Sequence, residues 1–239
     1  MTDFQAQLLD IQRTLDAATA RANTHTDPNL SPEGQRARRA EMIATARQAA
    51  APQVAAVLAD ATREAASLAE RAAGLLPRLG TDADSTAQAT MKWSQVQMLL
   101  SAGMPLRDVL ASADVATALS IREFGPSFEV ARAYKAPGLG ESMTALPVPD
   151  HGPLHRSIDA RLAQLSGLNA TNAIAAAHEA AAVAAGVKVT ARYLAGVIAG
   201  TPTGTNAVSA SVEAHYAELA AREGLAADTA TGDAQDGGA

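Results

Sequence analysis

SPEGQRARRAEMIATARQAAAPQVAAVLADATREAASLAERAAGLL, residues 31–76, decides the fold. Its first residues are a helix start: the Ser31 hydroxyl can cap free amides, Pro32 stands where no amide bond is needed, and Glu33 lies at the positive end of the helix dipole. From there Met42, Ile43, Val54, Val57, Leu58, Ala61, Ala65, Leu68, Ala72 and Leu75 recur at helical spacing to about Leu76. Pro52 is expected to kink this helix or split it in two, because an interior proline removes a hydrogen bond and crowds the preceding turn. Upstream, Phe4, Leu8, Ile11, Leu15, Ala18 and Ala22 alternate by fours and threes, the seam of a helix over about 3–23 that packs on another helix. HTDPNL, residues 25–30, is the turn between them. Residues 1–80 thus read as a long helical hairpin, a coiled-coil-like arm.

The rest continues in the same vein. Residues 82–102 form a helix with Ala89, Trp93, Val96 and Leu100 on one face, ended by Gly103. Short helices are expected over 105–112, over 114–124, and again after Gly125-Pro126 through Phe128, Ala131 and Tyr134, so that 81–135 is a compact helical module. Residues 136–153, APGLGESMTALPVPDHGP, read as a Pro/Gly linker. Leu154, Ile158, Leu162 and Leu165 open an amphipathic helix, an alanine-rich helix follows over about 170–185, and Gly186 ends or bends it before Val187. After GTPTGT at 200–205 a last helix carries Val208, Val212, Tyr216 and Leu219, giving an alanine-rich bundle over 154–223 and a disordered acidic tail over 224–239. The fold class is all-α, with no sheet.

Composition narrows the functions open to such a chain. Of 239 residues 48% are hydrophobic but only 3% aromatic, so its cores are thin helical layers rather than a thick enzyme interior. Nine basic and nine acidic residues in 1–80, five and six in 81–136, and five and ten in 137–239 leave no basic segment, which disfavours nucleic-acid binding driven by counterion release. Zero cysteines excludes disulfides and thiolate zinc sites. The N-terminus reads neither as a secretory signal nor as a transit peptide. His178, Glu179, Lys188 and Arg192 interrupt the apolar run 173–199 and argue against a membrane span.

Motifs that could carry chemistry each have a plainer explanation. Residues 99–124 follow the order of a helix-turn-helix unit, but the helix after Asp114 offers only Arg122 to read bases, while Asp114 and Glu123 oppose phosphate. Asp150, His151, His155 and Asp159 have metal-ligand chemistry, yet Gly152-Pro153 is expected to break the register between the histidines. GTPTGT lacks the Gly-Lys-Ser/Thr ending of a phosphate loop. His178 and Glu179 project about 100° apart on a helix, and Arg36, Arg38 and Arg39 fit a solvated first turn beside Glu33 and Glu41. No nucleophile, base and oxyanion donors assemble; no catalytic, cofactor or metal residue is assigned.

DPNLSPEGQRARRAEMIATAR (27–47) and KWSQVQMLLSAGMPLRDVLASADVATALSIREF (92–124) resemble small helical proteins encoded among the virion genes of actinobacterial tailed phages and prophages. In those, a D-x-x-L-S-P-E-G helix start and a W-x-x-V-x-x-L-L-x-x-G module recur in one chain. The resemblance covers residues 1–135 and implies a non-enzymatic structural or interaction protein, scaffold-like or a minor virion component in capsid assembly, found in the virion or the host cytoplasm. Its expected partners are itself, as a homo-oligomer, or a capsid-type protein, without membrane, nucleic acid or cofactor. The surfaces expected to make those contacts are Phe4, Leu8, Ile11 and Leu15, the stripe of Val57, Leu68 and Leu75, and the face around Trp93. The alternative is a helix-turn-helix DNA-binding regulator using residues 99–124.

Overall fold

A computed structural model describes residues 3–134, 151–201 and 207–230. The fold is all-α: among the described residues there are eight helices and no strand. α1 (Phe4–Thr24) is capped by the Asp3 carboxylate, which accepts from the Ala6 amide at 2.9 Å. α2 (Pro32–Leu75) starts where Ser31 predicts, with the Ser31 hydroxyl accepting from the Gly34 amide at 3.2 Å. Arg39 Nε donates to the His25 carbonyl at 2.9 Å and ties the turn to α2. α3 (Ala83–Ser101), α4 (Leu106–Ser112) and α5 (Val115–Tyr134) follow, then α6 (Gly152–Ser166), α7 (Leu168–Ala199) and α8 (Ala207–Ala230).

Helix continues at four positions where the sequence allowed or required a break, and at Pro52 and Gly186 this leaves the kink or bend as the remaining alternative. α2 runs unbroken for 44 residues through Pro52. Ala50 before it and Val54 and Val57 after it are buried on one seam, which holds the two halves in register despite the missing amide. α5 likewise passes through Gly125-Pro126 as one helix. Phe124 and Phe128 flank that pair and both pack on Trp93, at centroid distances of 6.0 and 5.7 Å. α6 begins at Gly152, with Pro153 in the first turn, where a helix asks for no amide. The His155 amide bonds the His151 carbonyl at 3.0 Å, so the histidines do keep helical register. α7 continues through Gly186, whose missing side chain makes room for Glu218: a Cβ there would lie 2.6 Å from Glu218 Cγ. At the other end of the chain α8 runs past Gly224 to Ala230, where the sequence suggested disorder; 231–239 and residues 135–150 of the expected linker lie outside the described residues.

The chain divides into two compact units, residues 1–67 with 178–222, and residues 68–177 with 223–239. Each unit draws on separated stretches of the sequence, unlike the consecutive segments bounded at 80, 135 and 153. Proline and glycine mark where helices stop, but not which distant helix covers an alanine stripe. In the first unit the hairpin is no free arm: Phe4 and Leu8 of α1 and Val54, Val57 and Ala61 of α2 share a core with Val187, Ala191 and Leu194 of α7. At one edge of this unit Gln5 bridges two helices, accepting from the Thr190 hydroxyl at 3.2 Å and donating to Glu218 at 3.3 Å.

In the second unit the core is larger than the 81–135 module. It joins Leu68, Ala72 and Leu76 to Trp93 and Val96 of α3, Val109 and Leu110 of α4, Leu119 and Ile121 of α5, and Ile158, Leu162, Ile174 and Ala177 of α6 and α7. α5 is central, packing on both α3 and α6. Among the described residues α7 is the one helix long and apolar enough to cross a membrane by length and composition, since its charges still leave an 18-residue apolar window, contrary to the sequence argument. A third of that window is buried within the chain.

Candidate functional site

The second unit presents the best-defined polar and aromatic constellation, and it is built from caps inward. Asp82 caps α3, accepting from the Ser85 amide at 2.8 Å and its hydroxyl at 2.7 Å, and these bonds hold its carboxyl below the ordinary aspartate range. α3 ends as Gly103 predicts: Gly103 takes φ +92°, its amide bonds the Leu100 carbonyl, and the Met104 amide bonds the Leu99 carbonyl, both at 3.1 Å. This is the paired closure that a left-handed glycine permits. Asp114 caps α5 through the Thr117 amide at 2.7 Å and faces Lys92 of α3 at 3.1 Å. Hydrogen bonding to Thr117, reinforced by Lys92, lowers its pKa to about 2. Arg161 of α6 donates from Nε and Nη2 to the Ala113 carbonyl, at 3.0 and 2.8 Å, and so serves a carbonyl at the α4–α5 corner that neither helix satisfies.

These contacts describe the surroundings of the residues in the helix-turn-helix reading. Ala118, Leu119, Ser120 and Ile121 of α5 are buried, and Arg122 lies 3.3 Å from Asp159 of α6. The helix that would enter a groove is thus a core helix, and its one base-reading cation has a carboxylate partner. In the metal-type group two members have other charged neighbours. Asp159 faces Arg122, His151 Nδ1 lies 3.5 Å from Glu129, and His155 is exposed. Among the described residues no group of three His, Asp or Glu side chains could hold a metal ion; Asp150 lies outside them. Gly200, at φ +72° with the Arg47 guanidinium against it, closes α7, and residues 202–205 of GTPTGT are outside the described set. His178 and Glu179 are both half-buried, so neither marks a fully exposed face. Arg38 pairs with Glu41 at 2.7 Å, and Arg39 is held by His25.

Most side chains expected to contact partners are covered by the chain itself. Phe4, Leu8, Leu15, Val57 and Trp93 are buried, Ile11 and Leu68 half-buried. Leu75 alone of that set is open, at 50% exposure, because the seam ends on Leu76 instead. The exposed apolar side chains lie elsewhere. Met91 and Met98, 57% and 66% exposed, stand seven residues apart on the face of α3 opposite Trp93 and Val96. That spacing, two helical turns, is legible in the sequence, but spacing alone does not say which face of the helix is covered.

Beside this helix a cleft of about 340 Å³ opens between the α3–α4 turn and the C-terminal half of α5. Leu100, Met104, Pro105, Leu106 and Phe128 line it, with Arg132 at its edge. No family model, no curated protein and no solved structure matches this chain.

Proposed function

We propose that this chain is a non-enzymatic helical interaction protein of a tailed phage or prophage, a scaffold-like or minor component in capsid assembly that works in the virion or the host cytoplasm. The observation that carries the reading is the outer face of α3. From Gln88 to Met98 that face bears Gln88, Met91, Gln95 and Met98 and no charge, and the nearest cation, Lys92, is engaged by Asp114 within the same chain. Exposed methionines, unbranched and polarizable, adapt their shape to a partner, and an uncharged apolar face on a thin core favours burial against another molecule. The likeness of residues 27–47 and 92–124 to virion-associated proteins supplies the biological setting.

The partner class is a second copy of this chain or a capsid-type protein. Sedimentation velocity over a wide concentration range, together with recovery from purified particles, tests it. Concentration-dependent association or co-purification with particles is expected. A strictly monomeric chain absent from particles defeats the reading.

A further inference from the structure

We infer that the cleft between the α3–α4 turn and α5 is a docking site for a peptide segment that places a large apolar side chain beside a carboxylate. Apart from Arg132 the lining side chains are apolar, Leu100, Met104, Pro105, Leu106 and Phe128, so a guest needs an apolar body and one group for the guanidinium. Its volume, about 340 Å³, is at the lower end for a small-molecule site, and suits an anchoring side chain better than a long acyl chain.

Charge then selects the flank of that anchor. Arg132 stands at the edge, exposed, and among the described residues no carboxylate pairs with it, whereas Arg122 and Arg107 each have one. A guanidinium beside an apolar slot binds a carboxylate through paired, geometrically fixed hydrogen bonds. Met104, 42% exposed, extends the apolar surface from the cleft to the neighbouring Leu99, giving the segment a strip to lie on. The sole tryptophan reports on the site, since Phe128 forms one wall and stands edge-on to Trp93.

This assignment rests on the reading of the chain as an interaction protein and names its partner's chemistry. A random dodecapeptide display library selected on the full-length chain, followed by titration of the selected synthetic peptides against Trp93 fluorescence, tests it. Selected peptides are expected to share a large apolar residue within two positions of Asp or Glu, and R132E to weaken them by at least about tenfold, a loss of one charged pairing. R132K should retain part of the affinity, and M104E should weaken binding at the rim. An unchanged far-ultraviolet circular dichroism spectrum checks that each variant is folded.

Selection of peptides without that pattern, equal binding by R132E, or occupancy by dodecanoate with no peptide selected would overturn the assignment. The two proposals fail separately. Particle association with no selected peptide removes the cleft and leaves the assembly role, whereas peptide binding in a chain absent from particles removes the assembly role and leaves the cleft.

Discussion

Asp114 and Arg161 meet at the corner between α4 and α5, and there single side chains carry measurable stability. Removing the cap with D114A should cost about 1 kcal/mol, the usual value of a lost N-cap, read from urea unfolding followed by Trp93 emission. The pH dependence has a definite sign. The folded carboxyl titrates at about 2, below its ordinary 3.8, so its contribution is complete above the higher value and disappears as pH falls through the lower one. D114N keeps an acceptor for the Thr117 amide but cannot titrate. It should therefore flatten the acid limb of the stability curve between those two values, and an unchanged limb would remove Asp114 from the account. R161A leaves the Ala113 carbonyl without its two guanidinium donors and should destabilise the chain by about 1.5–3 kcal/mol. R161K should restore only part of this, because an ammonium cannot reproduce the fork. Asp82, Ser31 and Asp114 were legible as helix starts because caps are local chemistry. Arg161 was not, since its acceptor lies 48 residues away.

At the scale of helices, Pro52 and Gly186 put opposing effects into α2 and α7. Pro52 is exposed and sits inside a continuous helix, so P52A should gain up to about 3 kcal/mol, visible as a higher melting temperature. A helix that does not gain from this replacement would mean that the proline conformation is already accommodated at no cost. Gly186 works the other way. An added methyl favours the helix by about 1 kcal/mol on propensity alone, but it would meet the Glu218 side chain and disturb its bond to Gln5. G186A should therefore lower the melting temperature, and G186A/E218A should recover more than E218A alone allows by addition, the signature of coupled neighbours. Helix identity was largely legible in the spacing of apolar residues. Of the two alternatives at Pro52 and at Gly186 the splitting one is excluded, and the break expected at Gly125-Pro126 is crossed because Phe124 and Phe128, on either side of it, both pack on the distant Trp93, which local sequence does not reveal.

For the whole molecule, the α3 face predicts how association responds to change. Met91 and Met98 are outside both cores, so M91S/M98S should leave helicity intact while raising the dissociation constant of any self-complex that uses this face by at least about tenfold, given about 1.5–3 kcal/mol for each fully buried methionine. Unchanged sedimentation would exclude the face. A seam of small and branched residues says that a helix packs, not against what, and so Phe4, Leu8 and Val57 read as outward surfaces when α7 of the same chain covers them. The placement of the two cores has its own consequence for how the chain reaches its fold. All core residues of the second unit fall within 68–177, whereas the first unit draws on both sides of that stretch. The core of the second unit is thus an insertion, able to form from a contiguous run, and the host core must wait for a closure spanning all of it. Closure entropy grows only logarithmically, about 0.6 kcal/mol per doubling of the loop, but it falls on the host alone. In a nascent chain Phe4 and Leu8 therefore have only α2 to cover them until Val187, Ala191 and Leu194 have left the ribosome, and the interval before that is when the hairpin most needs protection from other chains.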